Sequence, residues 1–264
     1  MTPAPLPVSV LLLAHDETAE IAALLPTLAF AREVVVVWDE AGDPRTRATA
    51  EALGARVLAR RLDGFGPQRQ FALEHCTQDW VLWIDADERL GPGSPGAIAR
   101  AISAPAPAVA LALRTSFFLG RRIRHCGWEN EWLPRLFTRA GARFDASPVH
   151  ERVELGAART LPRDGAFTLE HHSYPDWDAC VGKLTRYAHA NAEKAVRAGR
   201  RASALDVLFR PPLRFLRQYG IQLGFLDGAH GLVLCGLAAW QVGLKYAELW
   251  ARTRGAGRVN PPGA

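Results

Sequence analysis

The chain has 264 residues, of which 48% are hydrophobic and 22% are charged, and this balance excludes intrinsic disorder as its main state. Its formal charge of +5 is unevenly spread: residues 1–175 carry 19 Arg and no Lys against 21 acidic residues, whereas residues 176–264 carry 13 basic residues against 6 acidic ones. The basic C-terminal part is therefore expected to face something anionic. The four cysteines lie far apart without a Cys-x-x-Cys pair, which argues against a zinc site or a disulfide scaffold.

The predicted elements alternate between strands and helices along the first third of the chain. Strands are predicted over residues 8–14, 33–39, 55–59 and 79–85, and helices over residues 17–31, 46–53 and 67–76. Runs of Val and Leu without polar alternation are typical of strands buried on both faces of a parallel sheet. The predicted fold class is therefore α/β, with a Rossmann-like, mainly parallel sheet and flanking helices.

The pattern changes after a Pro- and Ala-rich linker near residues 104–108. It predicts strands over residues 108–114 and 117–125, a hairpin around Gly141 within residues 133–144, and helices over residues 185–198, 203–218 and 231–250. We therefore predict two regions: a catalytic domain over residues 1–175 and a basic, mainly helical C-terminal region over residues 176–264.

Two features of the chain bear on its location. Residues 1–7 lack the basic segment and the small-residue cleavage site of a secretory signal, so we expect a cytoplasmic protein. The longest apolar run of the basic region, residues 231–244, is shorter than the roughly 20 residues that a membrane span requires. We expect this region to lie on a bilayer rather than to cross it.

Acidic residues follow the predicted strands at the edge of the sheet where such folds bind their ligands. Asp39 ends the second strand, and Asp85-Ala86-Asp87 ends the fourth. Two carboxylates at i and i+2 in a turn can converge on one hard divalent cation, so Asp85 and Asp87 are predicted to hold Mg²⁺ or Mn²⁺ on a diphosphate. A second Asp-x-Asp triplet, at residues 176–178, precedes a predicted helix and is interpreted as its N-cap.

A glycine-containing loop, Gly64-Phe65-Gly66, opens the helix that precedes the Asp-x-Asp strand. Such a loop offers backbone N–H groups to an anionic ligand, and Arg69 adds a cation. Taken by itself, this is an ordinary transition from loop to helix. Its position one element before the Asp-x-Asp strand favours placing Arg69 at the same edge.

Four motifs follow one another in the N-terminal part of the chain. They are Leu13-Ala14-His15-Asp16-Glu17, Val34-Val35-Val36-Val37-Trp38-Asp39, Phe65-Gly66-Pro67-Gln68-Arg69-Gln70-Phe71-Ala72-Leu73 and Trp80-Val81-Leu82-Trp83-Ile84-Asp85-Ala86-Asp87-Glu88. Together they resemble family 2 glycosyltransferases of GT-A fold. Further motifs, namely Gly127-Trp128, Arg135-Leu136-Phe137, Val149-His150-Glu151 and the run of residues 224–231, resemble the lipopolysaccharide core β-1,4-glucosyltransferase branch.

The resemblance implies transfer of a hexose, with glucose expected, from a UDP-sugar to an acceptor hydroxyl with inversion at the anomeric carbon. It implies nucleotide-sugar contacts by Ala14, Glu17, Asp39, Gln68, Arg69, Asp85 and Ala86. It also implies that Asp85, Asp87 and His150 hold Mg²⁺ or Mn²⁺, with Asp87 as the direct ligand. The chain departs from the usual Asp-Ser-Gly-Ser segment at residues 39–42 and has Gln70 where Asn is common.

Three glutamates are candidates for the base that takes the acceptor's proton. Glu131 stands four residues before the Arg-Leu-Phe motif, where similar sequences have Asp, so the resemblance favours it. Glu151 is the second candidate and Glu129 the third. Each has a structural alternative, because Glu131 can be a solvent-exposed loop acid and Glu151 can pair with a neighbouring arginine.

The expected acceptor is a glycolipid or a cell-envelope polysaccharide such as the lipopolysaccharide core. Two alternatives stay open: a UDP-sugar transferase acting on a protein, a polyprenyl phosphate or a small molecule, and a non-catalytic nucleotide-binding or membrane-binding relative. The arginines of the basic region alternate with Leu and Phe, as expected of a peripheral surface that docks on anionic lipid at the inner face of the cytoplasmic membrane. These helices can instead pack on the catalytic domain with solvated arginines. No nucleic-acid reader motif accompanies the charge, so no nucleic acid is expected.

Overall fold

The computed structural model describes residues 4–128, 131–145, 152–174 and 177–255. Its strands are β1 Leu6–Ala14, β2 Ala31–Trp38, β3 Arg56–Ala59, β4 Trp80–Trp83, β5 Glu88–Leu90, β6 Ala108–Phe118, β7 Arg121–Ile123, β8 Glu131–Thr138, β9 Arg143–Phe144, β10 Val153–Glu154, β11 Arg159–Thr160 and β12 Thr168–Tyr174. Its α-helices are α1 Thr18–Leu24, α2 Pro44–Ala52, α3 Phe65–His75, α4 Ser94–Ala101, α5 Trp177–Arg197, α6 Ala204–Leu216 and α7 Gly228–Gly255. Shorter turns of 3-10 helix cover Leu25–Leu28 and Gly224–Asp227, and a π-helical turn covers Arg217–Ile221.

The described chain falls into two compact units. The first contains Met1–Arg114 and Glu131–His171, and the second contains Thr115–Asn130 and His172–Ala264. The short segment Thr115–Asn130 is therefore grouped with the C-terminal residues. That catalysis belongs to residues 1–175 stays a prediction.

The main sheet of the first unit has the strand order β3-β2-β1-β4-β8-β6-β12-β5. Strands β3, β2, β1 and β4 are parallel to one another, and β8 enters antiparallel between β4 and β6. The predicted class, an α/β fold with a mainly parallel sheet and flanking helices, is confirmed. The parallel half is the part formed by the apolar runs of the N-terminal sequence.

Apolar side chains of β1 point alternately to the two faces of this sheet, and helices cover both faces. Val10 and Leu12 pack in one cluster with α1, α2 and α4, whereas Leu11 packs in a second cluster with Ala72 and Leu73 of α3. Each full burial of such an aliphatic side chain contributes about 1.5–3 kcal/mol. This two-sided burial explains why the strand sequence has no polar alternation.

Two predictions about the middle of the chain are wrong. Strand β6 is continuous across residues 114–117, and it turns into β7 only at Leu119 and Gly120, whose φ angles of 48° and 77° suit a tight hairpin. The hairpin around Gly141 does not form, because both edges of β8 are paired with β4 and β6. Strand β9 pairs with β10 instead.

The second unit is built on helices α5, α6 and α7, with α7 packed against both others. Its core joins Cys180 and Leu184 of α5, Leu234 and Cys235 of α7, and Phe118. The helical stretch Gly224–Arg254 passes a test of length and composition for a membrane span, with 22% of its most apolar window buried. That the region lies on a bilayer without crossing it stays a prediction.

The Gly224 to Gly231 motif forms a close-packed turn in this unit. A Cβ at Gly224 would lie 2.8 Å from the sulfur of Cys235, and a Cβ at Gly231 would lie 2.0 Å from the carbonyl oxygen of Gly224. The buried carboxylate of Asp227 accepts the backbone N–H of Arg124 at 3.1 Å and that of His125 at 2.8 Å. The motif therefore anchors the backbone of Arg124 and His125 to the C-terminal helices.

Candidate active site

The acidic turn after β4 is the centre of the candidate site. Beyond the end of β4, Ile84 donates its N–H to the carbonyl of Leu11 at 3.2 Å. The chain then turns back, because the N–H of Glu88 bonds the carbonyl of Asp85 at 3.0 Å and the N–H of Asp85 bonds Oε2 of Glu88, also at 3.0 Å. These two bonds hold Asp85 and Glu88 at the carboxyl end of β4.

Two arginines contact the carboxylate of Asp85. Nη2 of Arg69 in α3 lies 2.6 Å from Oδ1, and Nη2 of Arg135 in β8 lies 3.1 Å from Oδ2. The indole N–H of Trp83 adds a contact at 3.2 Å to Oδ1. Both oxygens of Asp85 are therefore bonded to arginine donors, and the structure brings Arg69 and Asp85 together at one edge of the sheet.

Arg135 is shared between Asp85 and a second acid, Glu88. Its Nη2 also lies 2.5 Å from Oε1 of Glu88, and the side chains of Arg135 and Glu88 are 4% and 0% exposed. The guanidinium carbons of Arg69 and Arg135 lie 4.6 Å and 4.3 Å from the ring centroid of Trp83, within the range of cation–π attraction. Trp83 thus serves as a stacking surface for both arginines in addition to filling space.

The two buried acids of the cluster have pKa values shifted in opposite directions: that of Asp85 is lowered and that of Glu88 is raised. Burial acts to raise the pKa of Asp85, but the charges of Arg135 and Arg69 outweigh it and hold this pKa far below its usual value. Burial also raises the pKa of Glu88, and there it prevails over the charge of Arg135. Asp85 therefore carries the fixed negative charge of the turn.

Asp87 lies on the far side of the same turn. Its side chain is about one-third exposed, and Oδ2 lies 3.2 Å from Nε2 of His171 in β12. Strand β12 pairs antiparallel with β5 so that His171 stands opposite Glu88, which brings the imidazole to the acidic turn. The sequence predictions missed His171, because it is 84 residues from Asp87 and no local motif marks it. Ala86, between the two aspartates, is buried.

Ala14 and Asp39 lie side by side where β1 and β2 end, because the N–H of Asp39 bonds the carbonyl of Ala14 at 2.8 Å. The buried carboxylate of Asp39 accepts the N–H groups of Ala41 at 3.2 Å and Leu62 at 3.1 Å, and Nδ1 of His15 lies 2.9 Å from it. Burial acts to raise the pKa of Asp39, yet these three contacts together lower it. Asp39 therefore holds together the loops at this end of the sheet.

Glu17 and Gln68 bond to the backbone near the same edge. Oε2 of Glu17 accepts the N–H of His15 at 2.6 Å, which shapes the turn after β1. Gln68 is buried, and its amide nitrogen donates to the carbonyl of Arg60 at 2.9 Å. Their contacts with a nucleotide sugar stay predictions.

A cavity of about 510 Å³ lies beside the acidic turn, and both Asp85 and Glu131 line it. Glu131 is the first residue of β8; it is exposed, and its Oε2 lies 2.7 Å from Nη2 of Arg114 in β6. Glu131, Leu133 and Arg135 of β8 all line this cavity, but the ladder between β8 and β6 shifts its register at Arg135. The two-residue period of a strand therefore could not have linked Arg135 to the site from the sequence. Three other candidate residues lie outside the described residues: Glu129, His150 and Glu151.

The donor set at the turn suits a divalent cation at Asp87 better than at Asp85. Among the described residues, no group of three His, Cys, Asp or Glu side chains is placed to hold a metal ion. Magnesium, however, is usually bound by one or two carboxylates together with substrate phosphates and water. The carboxylate of Asp87 beside His171 fits that pattern, whereas both oxygens of Asp85 contact arginines.

The fold and the acidic turn after β4 together define a class of protein. It has a GT-A-type α/β fold with paired acids at the end of a central parallel strand, followed by C-terminal helices. Residues 9–160 match the family model described as glycosyl transferase family 2. The chain therefore belongs to glycosyl transferase family 2.

Several known proteins are similar to this chain over most of its length. LpsC of Rhizobium meliloti (strain 1021), described as a lipopolysaccharide core biosynthesis glycosyltransferase, is 28% identical over 256 residues, which cover 93% of this chain and 91% of LpsC. An uncharacterized glycosyltransferase of Rickettsia felis is 24% identical over 261 residues, covering 92% of this chain and 89% of the relative. Among solved structures, that of S. aureus TarS 1-349 covers 96% of this chain and 93% of its own, with 14% identity and a TM-score of 0.47.

Proposed function

We propose that this protein is a metal-dependent, inverting hexosyltransferase that transfers glucose from a UDP-sugar to a glycolipid or cell-envelope polysaccharide such as the lipopolysaccharide core. The observation that carries the proposal is the placement of Glu131 and Asp85 on one cavity, with Asp87 on the same turn as Asp85. The name of LpsC, a relative that is similar over nearly the full chain, supports the proposed acceptor class.

Glu131 is the proposed general base. As the acceptor oxygen attacks the anomeric carbon from the side opposite UDP, Glu131 takes the hydroxyl proton. The bond from the acceptor oxygen to the anomeric carbon forms, the bond from that carbon to the diphosphate oxygen breaks, and UDP leaves with the electron pair. A single displacement of this kind inverts the anomeric centre. The contact with Arg114 at 2.7 Å keeps the Glu131 carboxylate on the cavity wall.

Asp87, with His171 beside it and His150 as the further predicted ligand, would hold Mg²⁺ or Mn²⁺. When bound, the ion supplies positive charge that offsets the charge developing on the leaving diphosphate. Asp85 has a different proposed role. Because Arg69 and Arg135 hold its carboxylate in place by charge-assisted contacts, Asp85 is positioned to orient the nucleotide sugar rather than to bind the metal directly.

Binding and turnover with a panel of UDP-sugars, with and without Mg²⁺ or Mn²⁺, test the donor site. We expect one UDP-sugar to bind in a metal-dependent manner, and Asp87→Asn to abolish that binding. Glu131→Gln should retain binding and slow transfer by about 100- to 10,000-fold, as expected for loss of a general base. Glu51→Gln is a matched control, because Glu51 is also exposed and paired with an arginine, Arg47, at 2.8 Å.

Two outcomes would contradict these assignments. Absence of binding to any nucleotide sugar would refute the transferase proposal as a whole. Full activity of Glu131→Gln would refute only the choice of base and would move that role to Glu151.

We further propose that the second unit docks on an anionic bilayer at the cytoplasmic face of the membrane. Large apolar side chains are exposed throughout α6, the following turns and the first half of α7: Leu205, Leu208, Phe209, Leu213, Leu216, Ile221, Leu223, Phe225, Leu226, Leu232, Val233 and Trp240. Arg210, Arg214 and Arg217 lie in the same stretch. Exposed apolar surface rimmed by basic residues is typical of segments that lie in the interface of an anionic membrane.

Flotation with vesicles tests this docking. The protein should float with vesicles that contain phosphatidylglycerol and much less with pure phosphatidylcholine, and the effect should fall at high salt. Leu208→Glu combined with Leu213→Glu should abolish flotation, whereas Leu53→Glu, at an exposed leucine of the first unit, should not. Equal flotation of the double variant would refute the proposal, and stable dimers without lipid would assign this face to a second copy of the chain.

A further inference from the structure

The cavity beside Glu131 is lined by more cations than anions. Arg114, Arg135 and Arg152 line it, against the two carboxylates of Asp85 and Glu131. Those carboxylates are already neutralised, since Glu131 pairs with Arg114, and Asp85 contacts both Arg135 and a further arginine of α3. Arg152 forms no ion pair within the described part of the chain. The cavity therefore has an excess of positive charge that its own carboxylates do not neutralise.

Arg135 has donor groups that the protein itself does not use. Its Nη2 contacts Asp85 and Glu88, but its Nε and Nη1 are buried and bond no group of the residues that the structure describes. Buried polar groups without partners are costly, and cationic ones are the most costly. Because Arg135 also lines the cavity, a ligand whose oxygen acceptors reach these N–H groups would offset that cost.

We propose that this cavity is the acceptor subsite and that it takes an anionic sugar, whose phosphate or carboxylate group pairs with Arg135 and Arg152 while a hydroxyl faces Glu131. Guanidinium groups bind both kinds of anion through paired N–H donors, so either group satisfies the same site. An anion held there fixes the orientation of the acceptor relative to the base. The inference rests on the proposed glycosyl transfer and names its acceptor class.

The diphosphate of the donor has the same chemistry as a sugar phosphate, so the experiment must separate the two sources. Calorimetric titrations use glucose 6-phosphate, glucuronate and uncharged glucose as probes, each added to the full-length protein already saturated with UDP and metal. At least one charged sugar should bind without displacing UDP, and glucose should bind at least about tenfold more weakly, the value of one charge-assisted contact.

Arg152→Gln is the test variant, because Arg152 is exposed and its loss does not disturb the buried cluster. It should weaken binding of the charged sugar about tenfold while leaving the affinity for UDP unchanged. Arg159→Gln is the matched control, since Arg159 is also an exposed arginine of the first unit but lines a different cavity. The control should bind all three sugars as the native protein does.

Three results would overturn the inference. Competition between the charged sugar and UDP would assign these arginines to the donor diphosphate. Equal affinity for glucose and the charged sugars would remove the need for an anion. Equal weakening by Arg159→Gln would show that the charged sugar binds outside this cavity. Failure of the proposed function is a separate result, namely that the native protein does not bind UDP in the first titration.

Discussion

Replacing Arg135 with methionine removes the cation shared by Asp85 and Glu88 while keeping most of the side-chain volume. The guanidinium lies 2.5 Å from Glu88 and 3.1 Å from Asp85, and both Arg135 and Glu88 are buried. Removing one partner of a buried ion pair costs about 3–5 kcal/mol, because it leaves an uncompensated buried charge. Native proteins are stable by only about 5–15 kcal/mol, so Arg135→Met should remove a large part of the free energy of unfolding at neutral pH.

The loss should shrink as the pH falls. Arg135 helps to lower the pKa of Asp85, and an acid with a lowered pKa contributes stability above its unfolded value, about 3.9, that disappears as the pH falls through the folded value. The pKa of Glu88 is already raised by burial in the native protein, and it rises further without Arg135. As the pH rises, the variant therefore loses more stability than the native protein does. Both effects make the difference between native protein and variant largest above about pH 4–5.

Urea unfolding followed by tryptophan fluorescence measures this difference. Glu88→Gln should rescue part of the loss when it is combined with Arg135→Met, because the uncompensated carboxylate is then absent. Arg143→Met, at an exposed arginine of β9, is the control and should change stability by no more than about 0.5 kcal/mol. Strictly additive losses in the double variant, or native-like stability of Arg135→Met, would show that Arg135 does not compensate the buried charge of Glu88.

Three further predictions concern the turns around the site and the second unit. Gly231→Ala should lower the free energy of unfolding by about 1–3 kcal/mol, because its Cβ would lie 2.0 Å from the carbonyl oxygen of Gly224, whereas Gly236→Ala, where a Cβ meets nothing within 4 Å, should be tolerated. Asp227→Asn replaces a carboxylate, whose two oxygens accept the N–H groups of Arg124 and His125, with an amide that has one acceptor oxygen. Limited proteolysis within residues 115–128 should therefore become faster, and an unchanged cleavage rate would contradict this anchoring role. Asp39→Asn should destabilise the protein most at neutral pH and least in acid, since the native carboxyl has a lowered pKa and its stabilising effect is lost as the pH falls; a loss independent of pH would count against it.

The parallel half of the sheet could be predicted from the sequence almost completely. Strands β1, β2 and β4 begin and end within a few residues of the predicted bounds, and the Asp-x-Asp turn lies at the end of β4 as expected. Each of these elements depends on the spacing of apolar residues within one short segment. Such a pattern can be seen without knowing which strands become neighbours.

The antiparallel half could not be predicted in this way. Strand β8 was expected to fold back on residues near Gly141, but it pairs with β4 and β6, and this insertion brings Arg135 to Asp85. The pairing partner of a strand is decided by packing across the whole sheet. Local turn residues such as Gly141 decide only where the chain is able to reverse.

The groups of the candidate site can be named from the sequence: paired aspartates after a buried strand, a cation in α3, and a glutamate before the Arg-Leu-Phe motif. Which of these groups touch depends on the tertiary structure, which also brings Glu88 and His171 to the acidic turn. It also grouped Thr115–Asn130 with the C-terminal helices. The physical reason is that these contacts join residues tens of positions apart, and they form only where the ladders and packed faces of the complete fold bring them together.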